Sequence, residues 1–207
     1  MISETVFIDF DGVIADTYSI CFNILHQIQP NLSEYDFKQK LERNINEELS
    51  NLQDSLQIDF WENYSEQVLD QPLVQDIEEA IEKISLSHPL IVVSSSPAED
   101  ITRYLEKYQL ANYFTEVLGS ESASRKKEVF EVLIKKYSIP PKESVFITDT
   151  LGDILEAHQA NIQPIAVTWG FHEEDTLRKG NPTAIIDTPE QLSGAIEEAF
   201  DFSEEYD

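Results

Sequence analysis

Carboxylates follow two apolar runs that are typical of buried strands. Val6-Phe7-Ile8 leads into Asp9-Phe10-Asp11-Gly12, and Val145-Phe146-Ile147 is followed by Asp149 and, four residues later, by Asp153. A carboxylate can attack phosphorus to form an aspartyl-phosphate. A second carboxyl beside it can protonate the leaving oxygen and then activate water. The pair Asp9 and Asp11 therefore predicts a nucleophile and a neighbouring general acid/base, and Gly12 permits the turn that would bring both to one site.

A divalent cation is expected where these four carboxylates meet. Ligands of an open parallel sheet bind at the carboxyl ends of its strands, which is where Asp9, Asp11 and Asp149 fall. Four carboxylates in one place would repel each other strongly. Mg²⁺ prefers oxygen ligands, keeps several waters and uses phosphate oxygens of the substrate. The predicted cofactor is therefore Mg²⁺.

Donors for a phosphoryl group follow another apolar run. Leu90-Ile91-Val92-Val93 ends on Ser94-Ser95-Ser96, which offers hydroxyls and backbone N–H groups. Lys126 and Lys127 lie at the expected start of a helix, where the helix dipole also favours an anion. Ser94, Ser95 and Lys126 are the predicted phosphate-binding residues, with Lys127 or Arg125 as alternatives for the lysine.

The elements around these residues alternate between strand and helix. Short β-branched runs, including Ile165-Ala166-Val167 and a weaker Ala184-Ile185-Ile186, are separated by helical periodicity. This alternation predicts an α/β fold, a Rossmann-like parallel sheet sandwiched by helices. Residues 17–73 carry helical patterns and no strand-like run, so we expect them to form a small α-helical cap inserted into a core of residues 1–16 and 74–207.

The motifs resemble those of the haloacid dehalogenase superfamily, in its phosphoglycolate-phosphatase-like branch. The first motif is similar to Asp9-Phe10-Asp11-Gly12-Val13, the second to the strand ending in Ser94, and the fourth to Asp149-Thr150-Leu151-Gly152-Asp153, with Lys126 as the third. The likeness runs from about Val6 to Phe200. The first motif is highly specific, whereas the others are individually weak but correctly ordered.

The resemblance implies roles for the individual residues. Asp9 would be the nucleophile and a magnesium ligand, and Asp11 the acid/base with its carbonyl on the metal. Asp149 would bind the metal, Asp153 would bind it or its waters, and Ser94 and Lys126 would hold the phosphoryl group. The implied strand order is 5-4-1-2-3. Thr148 departs from the glycine common at its position and is expected to crowd the site slightly.

The composition bounds the class of protein. The chain of 207 residues carries 40 acidic and 14 basic side chains, a net charge of −26, which repels nucleic acid and anionic membranes. Cys21 is the single cysteine, so no internal disulfide can form. The absence of a long apolar run or a signal-like start predicts a cytoplasmic protein. The expected partner is a small phosphorylated metabolite, and the oligomeric state stays open.

Several alternatives share these residues. A phosphomutase acting on a sugar phosphate would keep both Asp9 and Asp11, although Cys21 lies near where a related mutase carries a cap histidine. A dehalogenase needs neither Asp11 nor a metal. A phosphate-binding regulatory module without turnover is a further alternative. Lys38, Lys40 and Arg43 are the cations of the predicted cap, and one of them could meet a second anionic group of the substrate.

Overall fold

A parallel sheet organises the chain in the computed structural model, which describes residues 4–43 and 49–204. The strands of this part are β1 (Thr5–Ile8), β2 (Leu90–Val93), β3 (Phe114–Leu118), β4 (Ser144–Thr148), β5 (Gln163–Val167) and β6 (Ala184–Ile186). They pair in parallel in the order β3-β2-β1-β4-β5-β6. The predicted α/β fold is confirmed, and β6 extends the predicted order by one strand.

Helices cover both faces of the sheet. They are α1 (Tyr18–Ile28), α2 (Glu34–Leu41), α3 (Asp54–Gln67), α4 (Ile77–Ser85), α5 (Ala98–Lys107), α6 (Lys126–Tyr137), α7 (Leu151–Gln159), α8 (Glu174–Leu177) and α9 (Leu192–Glu204). Side chains of β1 alternate between two cores: Val6 and Ile8 join the larger one, whereas Phe7 packs on the α6 side with Phe130. Because every β1 residue is fully buried, the end of this strand is held rigidly beneath the site.

The edge strand β3 was not predicted from the sequence. Its side chains are mostly half-buried, and Glu116 faces outward, where it accepts hydrogen bonds from Lys136 and Tyr137. An edge strand with one solvated face lacks the continuous apolar run of a central parallel strand. The strand prediction relied on such runs, so it found the central strands and missed this one.

Helices α1, α2 and α3 form the helical segment that follows β1. Ser33 caps α2: its hydroxyl accepts the N–H of Asp36 at 3.1 Å, and Oδ2 of Asp36 accepts the N–H of Ser33 at 3.4 Å, which forms a capping box. Helix α2 ends at Leu41. Ile45, the next residue of the apolar repeat Phe37-Leu41-Ile45-Leu49, lies outside the described residues. Helix α3 begins at Asp54.

The two ends of this helical segment lie side by side. Ala15 forms an antiparallel bridge with Leu73. The N–H of Asp16 donates to the Pro72 carbonyl at 3.1 Å, and that of Val74 donates to the Ile14 carbonyl at 2.9 Å. The chain therefore leaves and rejoins the sheet at neighbouring points, which is the geometry of an insertion. The domain limits at residues 17 and 73 stay a prediction.

None of the helices in residues 4–43 and 49–204 has both the length and the apolar character that a membrane span requires.

Candidate active site

A tight turn after β1 brings Asp9 and Asp11 to one cavity. The carbonyl of Phe10 accepts the N–H groups of Ile14 and Ala15 at 2.9 and 3.0 Å. Gly12 has φ +73°, in the left-handed region. A Cβ at Gly12 would lie 2.1 Å from Oδ2 of Asp149, so the turn also needs the missing side chain. The predicted turn is therefore present, and its glycine lies directly against a carboxylate of β4.

The cavity at this edge has a volume of roughly 70 Å³ and gathers most of the predicted residues. Its wall on the sheet side includes Asp9, Asp11, Ser95, Lys126, Asp149 and Asp153. These residues come from the ends of β1, β2 and β4 and from the first turns of α6 and α7. Because parallel strands end at the same edge, distant parts of the sequence meet here.

Lys126 links two of the carboxylates. It is the first residue of α6 and is buried, and its Nζ donates to Oδ2 of Asp9 at 2.5 Å and to Oδ2 of Asp153 at 2.8 Å. Lys127 instead pairs with Glu131 at 3.4 Å on the surface of the helix. Burial alone would lower the pKa of Lys126, but the carboxylates of Asp153 and Asp9 raise it above its ordinary value. The geometry favours Lys126 over Lys127 as the lysine of the site.

The buried carboxyl groups around Lys126 carry more negative charge than one lysine can neutralise. They belong to Asp9, Asp149 and Asp153. Burial raises the pKa of Asp9 well above its usual range despite the opposing attraction of Lys126. Burial also raises the pKa of Asp149, to about 7. Burial acts the same way on Asp153, but Lys126 more than offsets it and the pKa of Asp153 is lowered. One ammonium thus serves three carboxyls, and a further cation would stabilise their ionised forms.

Asp149 supplies a direct observation for such a cation. Its Oδ2 accepts the N–H of Phe171 at 2.7 Å, whereas its buried Oδ1 finds no hydrogen-bond donor among the described residues. A buried carboxylate oxygen without a partner is costly, and a metal ion would satisfy it. An all-oxygen donor set that includes Asp9 and Asp149 fits Mg²⁺.

The carboxylates are not gathered into a ready metal cluster. Across residues 4–43 and 49–204, no group of three or more His, Cys, Asp or Glu side chains converges as metal ligands. Asp9 and Asp153 instead direct one oxygen each towards Lys126. Mg²⁺ needs only one or two protein carboxylates, since waters and phosphate oxygens complete its shell. The arrangement is therefore compatible with Mg²⁺, and the ligand set of Asp9, Asp11, Asp149 and Asp153 stays a prediction.

Hydroxyl groups hold Asp11 from three directions. Its Oδ1 accepts hydrogen bonds from Thr17 at 2.8 Å and Tyr64 at 2.6 Å, and its Oδ2 accepts one from Ser96 at 2.6 Å. Tyr64 is fully buried and belongs to α3, so this bond joins the helical segment to the end of β1. Sequence reasoning missed Tyr64, because a tyrosine on an amphipathic helix is indistinguishable from a packing residue.

The serine run divides into two positions. Ser95 and Ser96 line the cavity, whereas Ser94 does not: its Oγ accepts the N–H of Ser96 at 3.0 Å and donates a long hydrogen bond of 3.4 Å to Oδ2 of Asp11. The predicted phosphate contact of Ser94 stays a prediction. Ser96 was missed as a side chain with a role of its own, although it belongs to the serine run that drew attention to Ser94.

Thr148 supports the site rather than simply crowding it. Its hydroxyl donates to Oδ2 of Asp153 at 3.1 Å. Asp153 in turn follows Thr150, whose Oγ1 accepts the N–H of Asp153 at 3.4 Å at the start of α7. The residue that departs from the common glycine therefore adds a donor to the oxygen that Lys126 also binds.

The three cations of the helical segment differ in position. Arg43 is exposed and lines the cavity. Lys38 forms an ion pair with Glu173 and lies over the ring of Tyr18 at 5.3 Å. Lys40 is half-buried and is not part of the cavity wall. A contact between one of these cations and the substrate stays a prediction, and the geometry leaves Arg43 as the residue for it.

The chain is similar in sequence to a family of hydrolases and to individual phosphatases. A family model described as haloacid dehalogenase-like hydrolase matches residues 6–167. A phosphoglycolate phosphatase of Vibrio vulnificus (strain YJ016) is 26% identical over 128 residues, 60% of this chain and 55% of that protein. The probable phosphatase IndB of Dickeya dadantii (strain 3937) is 30% identical over 139 residues, 64% of this chain and 60% of that protein. The chain thus spans little more than half the length of these curated relatives.

A solved structure gives the same fold. The crystal structure of a predicted phosphatase from Clostridium acetobutylicum superimposes with a TM-score of 0.80 at 19% identity, covering 96% of this chain and 100% of that one. At this identity the likeness shows the architecture alone.

Proposed function

The chain belongs to the haloacid dehalogenase-like hydrolase family, and from this premise we propose that it hydrolyses a small phosphomonoester through a phosphorylated Asp9. The observation that carries the proposal is the position of Lys126, whose Nζ donates to both Asp9 and Asp153. The same cavity also exposes Asp11, two residues from Asp9. A nucleophile, a cation and a second carboxyl in one cavity are the components that phosphoryl transfer requires.

The proposed reaction has two steps. A carboxylate oxygen of Asp9 attacks phosphorus, the bond from phosphorus to the leaving oxygen breaks, and Asp11 gives that oxygen a proton. Water then attacks the phosphorus of the aspartyl-phosphate while Asp11 takes a proton from it, which releases inorganic phosphate and restores Asp9. Lys126 offsets the charge of the phosphoryl oxygens, and Ser95 and the N–H groups of the serine run donate to them.

Mg²⁺ is the proposed cofactor. Asp9 and Asp149 would hold it, with Asp153 and the backbone carbonyl of Asp11 as the further ligands or water-binding groups. The unpartnered Oδ1 of Asp149 and the excess of buried carboxyls support this assignment. When bound, the cation would offset the charge on the phosphoryl oxygens and reduce the repulsion between the phosphate and Asp9.

A phosphate-release assay over a panel of phosphomonoesters, with and without Mg²⁺, tests the function. We expect Mg²⁺-dependent release from the wild-type protein and none from Asp9→Asn, which keeps the size of the side chain and an oxygen to accept from Lys126. The matched control is Asp187→Asn, since Asp187 bonds to Thr168 away from the cavity. Rapid acid quenching followed by peptide mapping should find phosphate on the peptide that contains Asp9. Turnover by folded Asp9→Asn would overturn the proposed nucleophile.

A further inference from the structure

The helical segment supplies an apolar wall to the cavity in front of Asp9 and Asp11. Opposite the carboxylates, the residues of this wall are mostly buried side chains without polar atoms, namely Leu25, Phe37, Leu41, Leu49 and Phe60, together with the half-buried Trp61. The polar side chains of the cavity come largely from the sheet side. The phosphoryl group must lie at the carboxylates, so the leaving group is directed towards the apolar wall.

The polar groups of the helical segment offer this leaving group few hydrogen bonds. Tyr64 reaches the cavity, but its hydroxyl already donates to Asp11 at 2.6 Å. Cys21 is buried, and a thiol is a weak hydrogen-bond partner. Trp61 lines the cavity at a half-buried position and has a single donor, its indole N–H. Arg43 is exposed, so a charge paired with it would stay at the cavity mouth. Among the cap residues that the structure describes, the interior of the wall thus presents mainly carbon to the substrate.

A hydroxyl or carboxylate buried against the aliphatic and phenyl side chains of this wall would lose its water without gaining a partner from them. The loss is about tenfold in transition-state binding for each unmatched hydroxyl. A carboxylate would fare worse, because it would lie near the carboxylates of the site in a chain with a net charge of −26. An aliphatic group of the same shape would instead gain by leaving water.

We propose that the substrate is a phosphomonoester of an apolar alcohol, a choice that rests on the proposed phosphatase function. Leu41, Phe60 and Trp61 are then specificity-determining residues, because they contact the leaving group and exclude polar competitors.

Pairs of esters with equal shape and different polarity test this proposal. Isobutyl phosphate matches 2-phosphoglycolate in shape, and 2-methylbutyl phosphate matches glycerol 3-phosphate. We expect kcat/KM to favour the apolar member of each pair by about tenfold or more. Equal rates, or a preference for the polar members, would overturn the inference while leaving the phosphatase function intact. If none of these esters nor p-nitrophenyl phosphate released phosphate with Mg²⁺, the proposed function would be wrong and the inference would fall with it.

A variant of the wall provides the second measurement. Trp61→Gln replaces an indole, with its one N–H donor, by an amide that has two N–H donors and an acceptor at a half-buried position. It should therefore narrow the apolar-to-polar ratio of kcat/KM at least threefold. Tyr35→Gln is the matched control, because Tyr35 is 71% exposed on α2 and does not line the cavity. An unchanged ratio in folded Trp61→Gln would remove Trp61 from the specificity residues, and an equal change in both variants would show that the wall does not select the substrate.

Discussion

Replacing Tyr64 with phenylalanine should impair proton transfer by Asp11 while leaving the rest of the chemistry nearly intact. The ring of Tyr64 is fully buried, and phenylalanine fills the same space without the hydroxyl. The substitution removes one of the three short hydrogen bonds that orient Asp11, the 2.6 Å bond to Oδ1, and leaves those from Thr17 and Ser96. It also removes the hydrogen bond by which α3 contacts the turn after β1.

The magnitude follows from the kind of bond that is lost. A hydrogen bond to a charged group contributes about 1.5–3 kcal/mol, and the hydroxyls of Thr17 and Ser96, with a longer bond from Ser94, still hold the carboxylate. A displaced catalytic group costs up to about 100-fold in rate. We therefore expect about a tenfold fall in kcat/KM, which reports the step that releases the alcohol, for an alkyl phosphate, whose leaving oxygen needs a proton. For p-nitrophenyl phosphate, whose leaving group departs as an anion, the fall should stay within about threefold.

The assay compares the two esters in the same variant, so a general loss of active protein cancels. Tyr108→Phe is the matched control: its hydroxyl donates to the Gln71 carbonyl at 2.7 Å, and it should change neither rate more than about twofold. An equal loss on both esters would show that Tyr64 merely stabilises the fold. A faster reaction of the variant with the alkyl ester would refute the proposed orienting role of Tyr64. It would mean that the Tyr64 hydrogen bond hinders proton transfer from Asp11 more than it positions the carboxyl group.

Two further predictions concern stability. Gly12→Ala should destabilise the protein by about 1–3 kcal/mol in urea unfolding and lower the activity, because the added Cβ would lie 2.1 Å from Asp149 at a residue with φ +73°. The control is Gly194→Ala in α9, where no atom lies within 4 Å of the added Cβ, and it should be neutral or stabilising. Burial lowers the pKa of His172, whose Nδ1 accepts the N–H of Leu151 at 3.0 Å. Below the ordinary pKa of histidine, the unfolded chain therefore binds more protons than the folded one. The free energy of unfolding should fall as the pH drops through this range. Unfolding measured in EDTA should show a weaker fall in His172→Gln, and an identical pH dependence in both proteins would contradict this assignment.

The sequence predicted the central elements well because their signals are local. Runs such as Val6-Phe7-Ile8 are fully buried on both faces, so their composition alone marks them as parallel strands. The polar residues that end these strands then had to meet, because parallel strands share an edge. The same logic placed Asp9 and Asp149 together, whereas Lys126 came from the expected helix start and the family resemblance, with Lys127 and Arg125 left as alternatives.

The rest depended on contacts between distant segments. Tyr64 meets Asp11 only because α3 folds back over the end of β1, and no local pattern records that approach. Ser94 and Ser96 differ in role through the direction of a turn, which three identical residues cannot reveal. Gly170 is a similar case: a Cβ there would lie 2.2 Å from Oδ2 of Asp149, a constraint set by β4 rather than by its own neighbours.

The pairing of Ala15 with Leu73 has a consequence for how the chain can change length. Because both ends of the helical segment are fixed beside each other, the segment behaves as a single closed loop that is attached to the sheet at one point. The entropy of closing a loop grows slowly with its size, by about 0.6 kcal/mol for each doubling. Helices could therefore be added to this loop or removed from it at little cost to the sheet. The apolar wall can be rebuilt for another alcohol while Asp9, Lys126 and Asp149 keep their places.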